Sequence, residues 1–200
     1  MKKVILLAFA LVSFSSAVFS QNSSSFYRSS YESRNSGSFD KSTSIISVGY
    51  GFPNVPTNDF SYYGYGAGSR LAFGPVYGKY EHGFLRDEVG LGGQIAFSFG
   101  KVKPYLNHVN AFDIGVLGFY HFNKLIPVEK LDVYAGLGFT IRSVSYQFES
   151  GSGISDYNDT GVYAAFRVGA RYYVKPALGL FADLGYDNMS VLNFGATFKM

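Results

Sequence analysis

Three histidines, His82, His108 and His121, are the residues here with the widest chemistry open to them. A zinc site draws about three or four ligands into bonding distance, and the pattern of the chain keeps these three apart. His82 falls on the apolar face of its segment near one rim, His108 in a loop, and His121 on the opposite, polar face of its own segment. A hydrolase would need a serine activated by a histidine that an acid orients. The histidines are followed by Gly83-Phe84, Val109-Asn110 and Phe122-Asn123, and neither Ser98 nor Ser143 has a histidine partner in the pattern. Asp156-Tyr-Asn-Asp159 has part of a calcium loop's spacing without its remaining ligands, its glycine or its closing Glu, and reads as a polar loop. No catalytic residue, cofactor site or metal site is therefore expected.

A second set of charged residues has a spacing that does carry physics. Lys79, Glu81, Glu88, Asp113, Asp132, Arg142, Arg167, Arg171, Asp183 and Lys199 all fall on one face of period-two segments, five basic against five acidic, with many glycines between them. Charges confined together in a narrow space are costly unless they neutralise one another. Lys79, Glu81, Glu88, Asp113, Arg142, Arg167, Arg171 and Asp183 are expected to face inward as a paired network, with Asp132 and Lys199 nearer a rim.

The elements that would hold them are strands. Leu178-Gly-Leu-Phe-Ala-Asp-Leu-Gly-Tyr and Val191-Leu-Asn-Phe-Gly-Ala-Thr-Phe are apolar at every second residue, which puts all apolar side chains on one face. Eight such segments are expected near 44–52, 74–83, 88–99, 110–122, 131–148, 161–174, 178–186 and 190–199. The apolar face reads Ile46, Val48, Tyr50, Phe52 on the first and Phe112, Ile114, Val116, Gly118, Tyr120, Phe122 on the fourth, and none of its positions is Asp, Glu, Lys or Arg. Connections at one end run long (53–73, 100–109, 149–160), apart from a tight 187–189, and those at the other run short (84–87, 175–177) or medium (123–130); transmembrane barrels show this asymmetry. A lipocalin-like barrel or sandwich would turn the same stripes inward. Eight strands enclose just enough room for side chains, and stripes this rich in Phe, Tyr and Leu would overfill it. The fold class expected is all-β, an eight-stranded antiparallel transmembrane β-barrel wound as an up-and-down meander.

The N-terminus has Lys2 and Lys3, an apolar run from Val4 to Val12 and small residues up to Ser20, the layout of a cleaved signal peptide over 1–20. A Ser-rich flexible periplasmic leader is expected over 21–43 and the barrel over 44–200. Absence of cysteine rules out disulfides and a lipid-anchored Cys. Without Lys2 and Lys3, 15 basic residues face 14 acidic ones, so no argument for nucleic acid remains. In the first long connection, Asn58-Asp-Phe-Ser-Tyr-Tyr-Gly-Tyr-Gly is an aromatic-Gly cluster suited to contact with a sugar or a partner.

At Pro75-Val-Tyr-Gly-Lys-Tyr-Glu-His-Gly and at Val191-Leu-Asn-Phe-Gly-Ala-Thr-Phe-Lys-Met the chain resembles the small outer-membrane barrel domain labelled "porin family" in Bacteroidota-type bacteria, similar in build to OmpA and OmpX barrels. The resemblance covers roughly 44–200. It implies a cell outer membrane of Gram-negative type, outer-membrane lipid as surroundings, and recognition of the closing strand by the barrel-assembly machinery through Leu192, Phe194 and Phe198. Here Lys199 and Met200 follow the terminal aromatic that usually ends such a chain. The function expected is structural or surface-contact, non-enzymatic, with a lumen plugged by the charged network and a surface partner reached through the outer loops. The alternative is a small porin-like passive channel.

Overall fold

A computed structural model describes residues 38–60, 70–103, 106–151, 153 and 155–200. The expected signal peptide, residues 21–37 of the expected leader and the 61–66 part of the aromatic-Gly cluster lie outside the described residues. Eight antiparallel strands run β1 (Ser44–Phe52), β2 (Arg70–Phe84), β3 (Arg86–Val102), β4 (Leu106–His121), β5 (Leu131–Phe148), β6 (Tyr157–Tyr173), β7 (Leu178–Tyr186) and β8 (Leu192–Lys199). Each bonds to the next in sequence order, and β8 pairs back onto β1, from Ile45 opposite Lys199 to Phe52 opposite Leu192. Closure removes both sheet edges over the length of that seam.

The apolar stripes face out. Val48, Ile95, Val116, Leu137, Phe139, Val168, Leu180 and Leu184 are all at least half exposed, while Glu81, Asp113, Arg167, Arg171 and Asp183 are buried. A barrel made for water hides its apolar face, and this one presents it, as the lipid-exposed wall of a membrane barrel must. No described helix is long and apolar enough to cross a membrane. Phe139 lies 67 % exposed near mid-wall. Phe139→Arg should cost roughly 2–4 kcal/mol of folding free energy in lipid vesicles, and an unchanged denaturant midpoint would count against a lipid-facing position.

The strands depart from the sequence expectation at the loop end. β2, β3, β4 and β6 start or finish three to four residues farther out than their alternation suggested, and His108, expected in a loop, lies in β4 opposite Gln147. At Tyr157, Asn158, Asp159 and Thr160 of β6 both faces are exposed. Where both faces meet water the period-two signal vanishes, though pairing continues: Ser143 lies opposite Thr160 and Tyr146 opposite Tyr157. The first long connection also holds a helix, α1 (Val55–Phe60). The Asn54 side chain accepts the Thr57 amide at 3.1 Å as its N-cap. Gly74, at φ 84° in the bulge between Phe73 and Val76, takes a backbone conformation that an L side chain would strain.

Candidate functional site

The lumen is filled in three layers, two of polar side chains and one largely apolar, built mostly from inward positions of several strands. Nearest the end that carries the start of β1 and the finish of β8, His121 stands between two carboxylates. Its Nε2 is 2.6 Å from Glu81 Oε1 and its Nδ1 2.7 Å from Asp132 Oδ1. Arg171 clasps the same pair, donating to Asp132 Oδ2 at 2.8 Å and to Glu81 Oε2 at 2.5 Å. The clasp follows from register, because Arg171 lies directly opposite Asp132 on β5. With a carboxylate on each ring nitrogen, His121 donates to both only as an imidazolium. The Arg171 guanidinium also covers the Tyr134 ring at 4.1 Å.

In the middle layer Lys79 Nζ meets Asp183 Oδ2 at 2.7 Å, and the Tyr134 hydroxyl donates to that oxygen at 3.0 Å. Arg167 pairs with Asp187 and stands 3.6 Å from Asp183. The neighbours of Arg167 across the ladders are Gly136 on β5 and Gly185 on β7; the room at Gly136 is taken by the Phe119 ring, and at Gly185 the backbone of β6 comes close. Asp187 is the hub. It accepts from the Tyr77 hydroxyl at 3.0 Å, from Gln94 Nε2 at 2.9 Å and from the Met189 and Ser190 amides at 3.0 and 3.1 Å. Gln94 also donates to Asp113 at 3.2 Å.

Above this the lumen turns apolar. Tyr77, Ala96, Val102, Val109, Ala111, Val144, Tyr146 and Met189 form one buried cluster. The α1 segment seals it: the Val55 amide donates to Met189 O at 3.0 Å, and Asn54 Nδ2 donates to Phe73 O at 3.2 Å. Thr57 is buried against Gly100, where a Cβ would meet its hydroxyl. Arg142 lies at this level, donating to Asn188 O at 2.9 Å and standing 3.5 Å from Asp159.

Of the residues singled out from sequence, Lys79, Glu81, Arg167, Arg171 and Asp183 come together with Asp132, which is buried in the lowest layer beside His121. Asp113 joins through Gln94. Glu88 stands apart with Lys124, and Arg142, although opposite Asp113 in the ladder, turns toward Asn188 instead. Lys199 reaches the Ser38 carbonyl at 3.2 Å. Leu192, Phe194 and Phe198 lie along β8 on the outward stripe. His121, Tyr77, Tyr134, Gln94, Asp187 and Ser190 escaped the sequence reading of the network. His121, Tyr134 and Gln94 fall on the same alternation as the charges, but Asp187 and Ser190 lie in a turn, where alternation says nothing.

No family model matches the chain, and no curated protein matches it. Among solved structures, the outer membrane protein OprG of Pseudomonas aeruginosa is similar at 10% identity and a TM-score of 0.53, over 82% of this chain and 98% of that one. Ail, the attachment invasion locus protein of Yersinia pestis, aligns at 12% identity and a TM-score of 0.49, over 80% and 99%. The N-terminal barrel domain of Pseudomonas aeruginosa OprF aligns at 19% identity and a TM-score of 0.48, over 81% and 99%. The OprG likeness shows a shared fold. The chain is an eight-stranded closed barrel with the architecture of small outer-membrane barrels.

Proposed function

We propose that this chain is a sealed, non-enzymatic outer-membrane barrel whose lumen is plugged by its own side chains and whose work is structural or done through its outer connections. Residues 1–20 serve as the export signal, the start of β1 and the finish of β8 face the periplasm, and the outward aromatics of β8 mark the closing strand for the assembly machinery. The observation that carries the reading is the filling of the lumen: between the lower and middle layers the cavity lined by Ser47, Lys79, Glu81, Gln94, Arg167 and Asp183 measures about 10 Å³, room for roughly one water. Water-filled channels belong to barrels of about 16–18 strands, whereas eight leave a lumen that side chains can fill. Surface contact would fall to the connections expected at 53–73, 100–109 and 149–160, beyond the apolar belt, where loops have room to vary.

The passive-channel alternative makes the opposite forecast for one measurement. Purified protein in planar bilayers is expected to give no steady conductance. Reproducible single-channel steps that Arg167→Ala widens would overturn the sealed lumen. Crosslinking on intact cells, with capture through the outer connections, tests the contact role separately.

A further inference from the structure

The chain's own approach to β1 crosses the end of the barrel beneath the His121 layer. Ser38 and Phe39 are each 3 % exposed. The Phe39 ring lies flat on His121, with centroids 3.5 Å apart and planes within 6°. The Phe39 carbonyl accepts from Asn123 Nδ2 at 2.7 Å, in the turn after β4, and the Ser38 carbonyl from Lys199 at the end of β8. Beyond Phe39 the chain makes a tight turn: Asp40 Oδ1 accepts the Ser42 amide at 2.8 Å and the Ser42 hydroxyl at 2.6 Å. The Lys41 amide donates to Asp87 Oδ1 at 3.3 Å, and the Thr43 carbonyl accepts the Gly83 amide at 2.9 Å. A Cβ on Gly83 would run into the Asp40 carbonyl and the Lys41 backbone, so the wall is bare where this segment crosses. The expected leader runs to 43, but its last six residues are fixed to the barrel, because Phe39 finds the His121 ring to stack on, which Ser-rich composition does not announce.

These contacts are single hydrogen bonds and one ring stack from separate elements, unlike the continuous ladders of the wall. Such a segment is the part of a closed barrel that can open without breaking a strand pair. Above it lie Glu81, His121, Asp132 and Arg171, whose mutual bonds are strong only while water is kept away.

We propose that Ser38–Thr43 is a lid, with Phe39 as its stopper, which closes the lower lumen and opens as a unit when the chain ahead of it is drawn away. Opening admits water past His121 as far as the cavity beside Ser47, Lys79 and Asp183. The Tyr77–Asp187–Arg167 layer stops it there. The proposal rests on the sealed-lumen reading only for that upper limit, and planar-bilayer conductance tests that reading independently of the lid.

The chain contains no cysteine, so one introduced thiol reports alone. Ser47→Cys places it on β1 facing the lumen, at a position 3 % exposed. In the full chain, folded in detergent, this thiol is expected to react slowly with hydrogen peroxide, a probe little larger than the water the cavity admits. Adding Phe39→Ala is expected to raise the rate by at least about tenfold, the signature of a lid whose opening has become a decade more frequent. Phe39→Leu, which keeps an apolar stopper, should recover most of the protection. Ala96→Cys, in the apolar cluster above the middle layer, should stay protected with or without Phe39. Fast reaction of Ser47→Cys with Phe39 intact would overturn the lid, as would an unchanged rate after Phe39→Ala in protein that keeps its strand content. Equal exposure of Ala96→Cys by Phe39→Ala would overturn it too, because the barrel as a whole would then have loosened.

Discussion

Arg167→Ala is expected to lower the stability of the barrel by roughly 3–5 kcal/mol, the usual cost of stripping one partner from a buried ion pair. The side chain is 1% exposed, as is that of Asp183, and Asp187 is fully enclosed. Removing the guanidinium takes the one cation from Asp187 and one of two from Asp183, leaving Lys79, Tyr134, Tyr77, Gln94 and backbone amides to answer them. Arg167→Lys keeps a charge but loses the fork that reaches both acids, and should fall between the two. Asp159→Ala takes away a half-exposed partner 3.5 Å from Arg142 and is expected to stay within about 1 kcal/mol of the parent. Denaturant unfolding in detergent, followed by tyrosine fluorescence, measures all three. Equal midpoints for Arg167→Ala and Asp159→Ala would show that the middle layer carries no special weight.

A larger effect is expected from a residue with no side chain. Gly138 on β5 lies opposite Leu117 on β4, and a Cβ there would strike the Val116 carbonyl and the Leu117 Cα. Overpacking a core usually costs about 1–3 kcal/mol because side chains can shift. Here the atoms met are the backbone of a paired strand, which cannot shift without breaking its ladder. Gly138→Val is therefore expected to prevent barrel formation, leaving a chain that migrates as unfolded on gels with or without boiling. Gly118, on the outward stripe, has nothing within 4 Å of its Cβ position, and Gly118→Ala should fold as the parent does. A Gly138→Val variant with the parent's heat-dependent mobility would mean that the close approach of β4 and β5 is not required.

The two glycines also mark the boundary of what the sequence could tell. Alternation located all eight strands and their faces, because a lipid-facing stripe tolerates no charge and so writes itself into every second residue. Ile46, Val48 and Phe52 turn outward for that reason, and Lys79, Arg167 and Asp183 inward. Alternation could not say which inward charge meets which. That depends on stagger and side-chain reach: Arg142 and Asp113 are ladder neighbours that do not pair, while Arg171 and Glu81 pair from β6 to β2, across the barrel. Nor could it foresee the parts that enter the lumen from outside the strands. Asp187, Met189, α1 and Phe39 lie in connections, where no period exists to read. For α1 a local cue was present in Asn54 followed by Val55-Pro56, a capping residue ahead of a proline near a helix start.

The seam between the first and last strands has a consequence for timing. Ser47 and Thr197 meet at 2.9 Å although 150 residues separate them, Tyr77 and Ser190 at 2.8 Å across 113, and Lys79 and Asp183 at 2.7 Å across 104. Contacts of such span form late, since each must first overcome the entropy of closing a long loop. A chain with its early strands formed but its circle still open has Lys79 and Glu81 in place and neither Asp183 nor Arg171 to meet them. Its charges must remain hydrated, and a hydrated charge holds a half-made wall out of an apolar layer. The internal pairs thus act as a checkpoint on assembly: full burial in the membrane becomes favourable only in the step that also completes the ring.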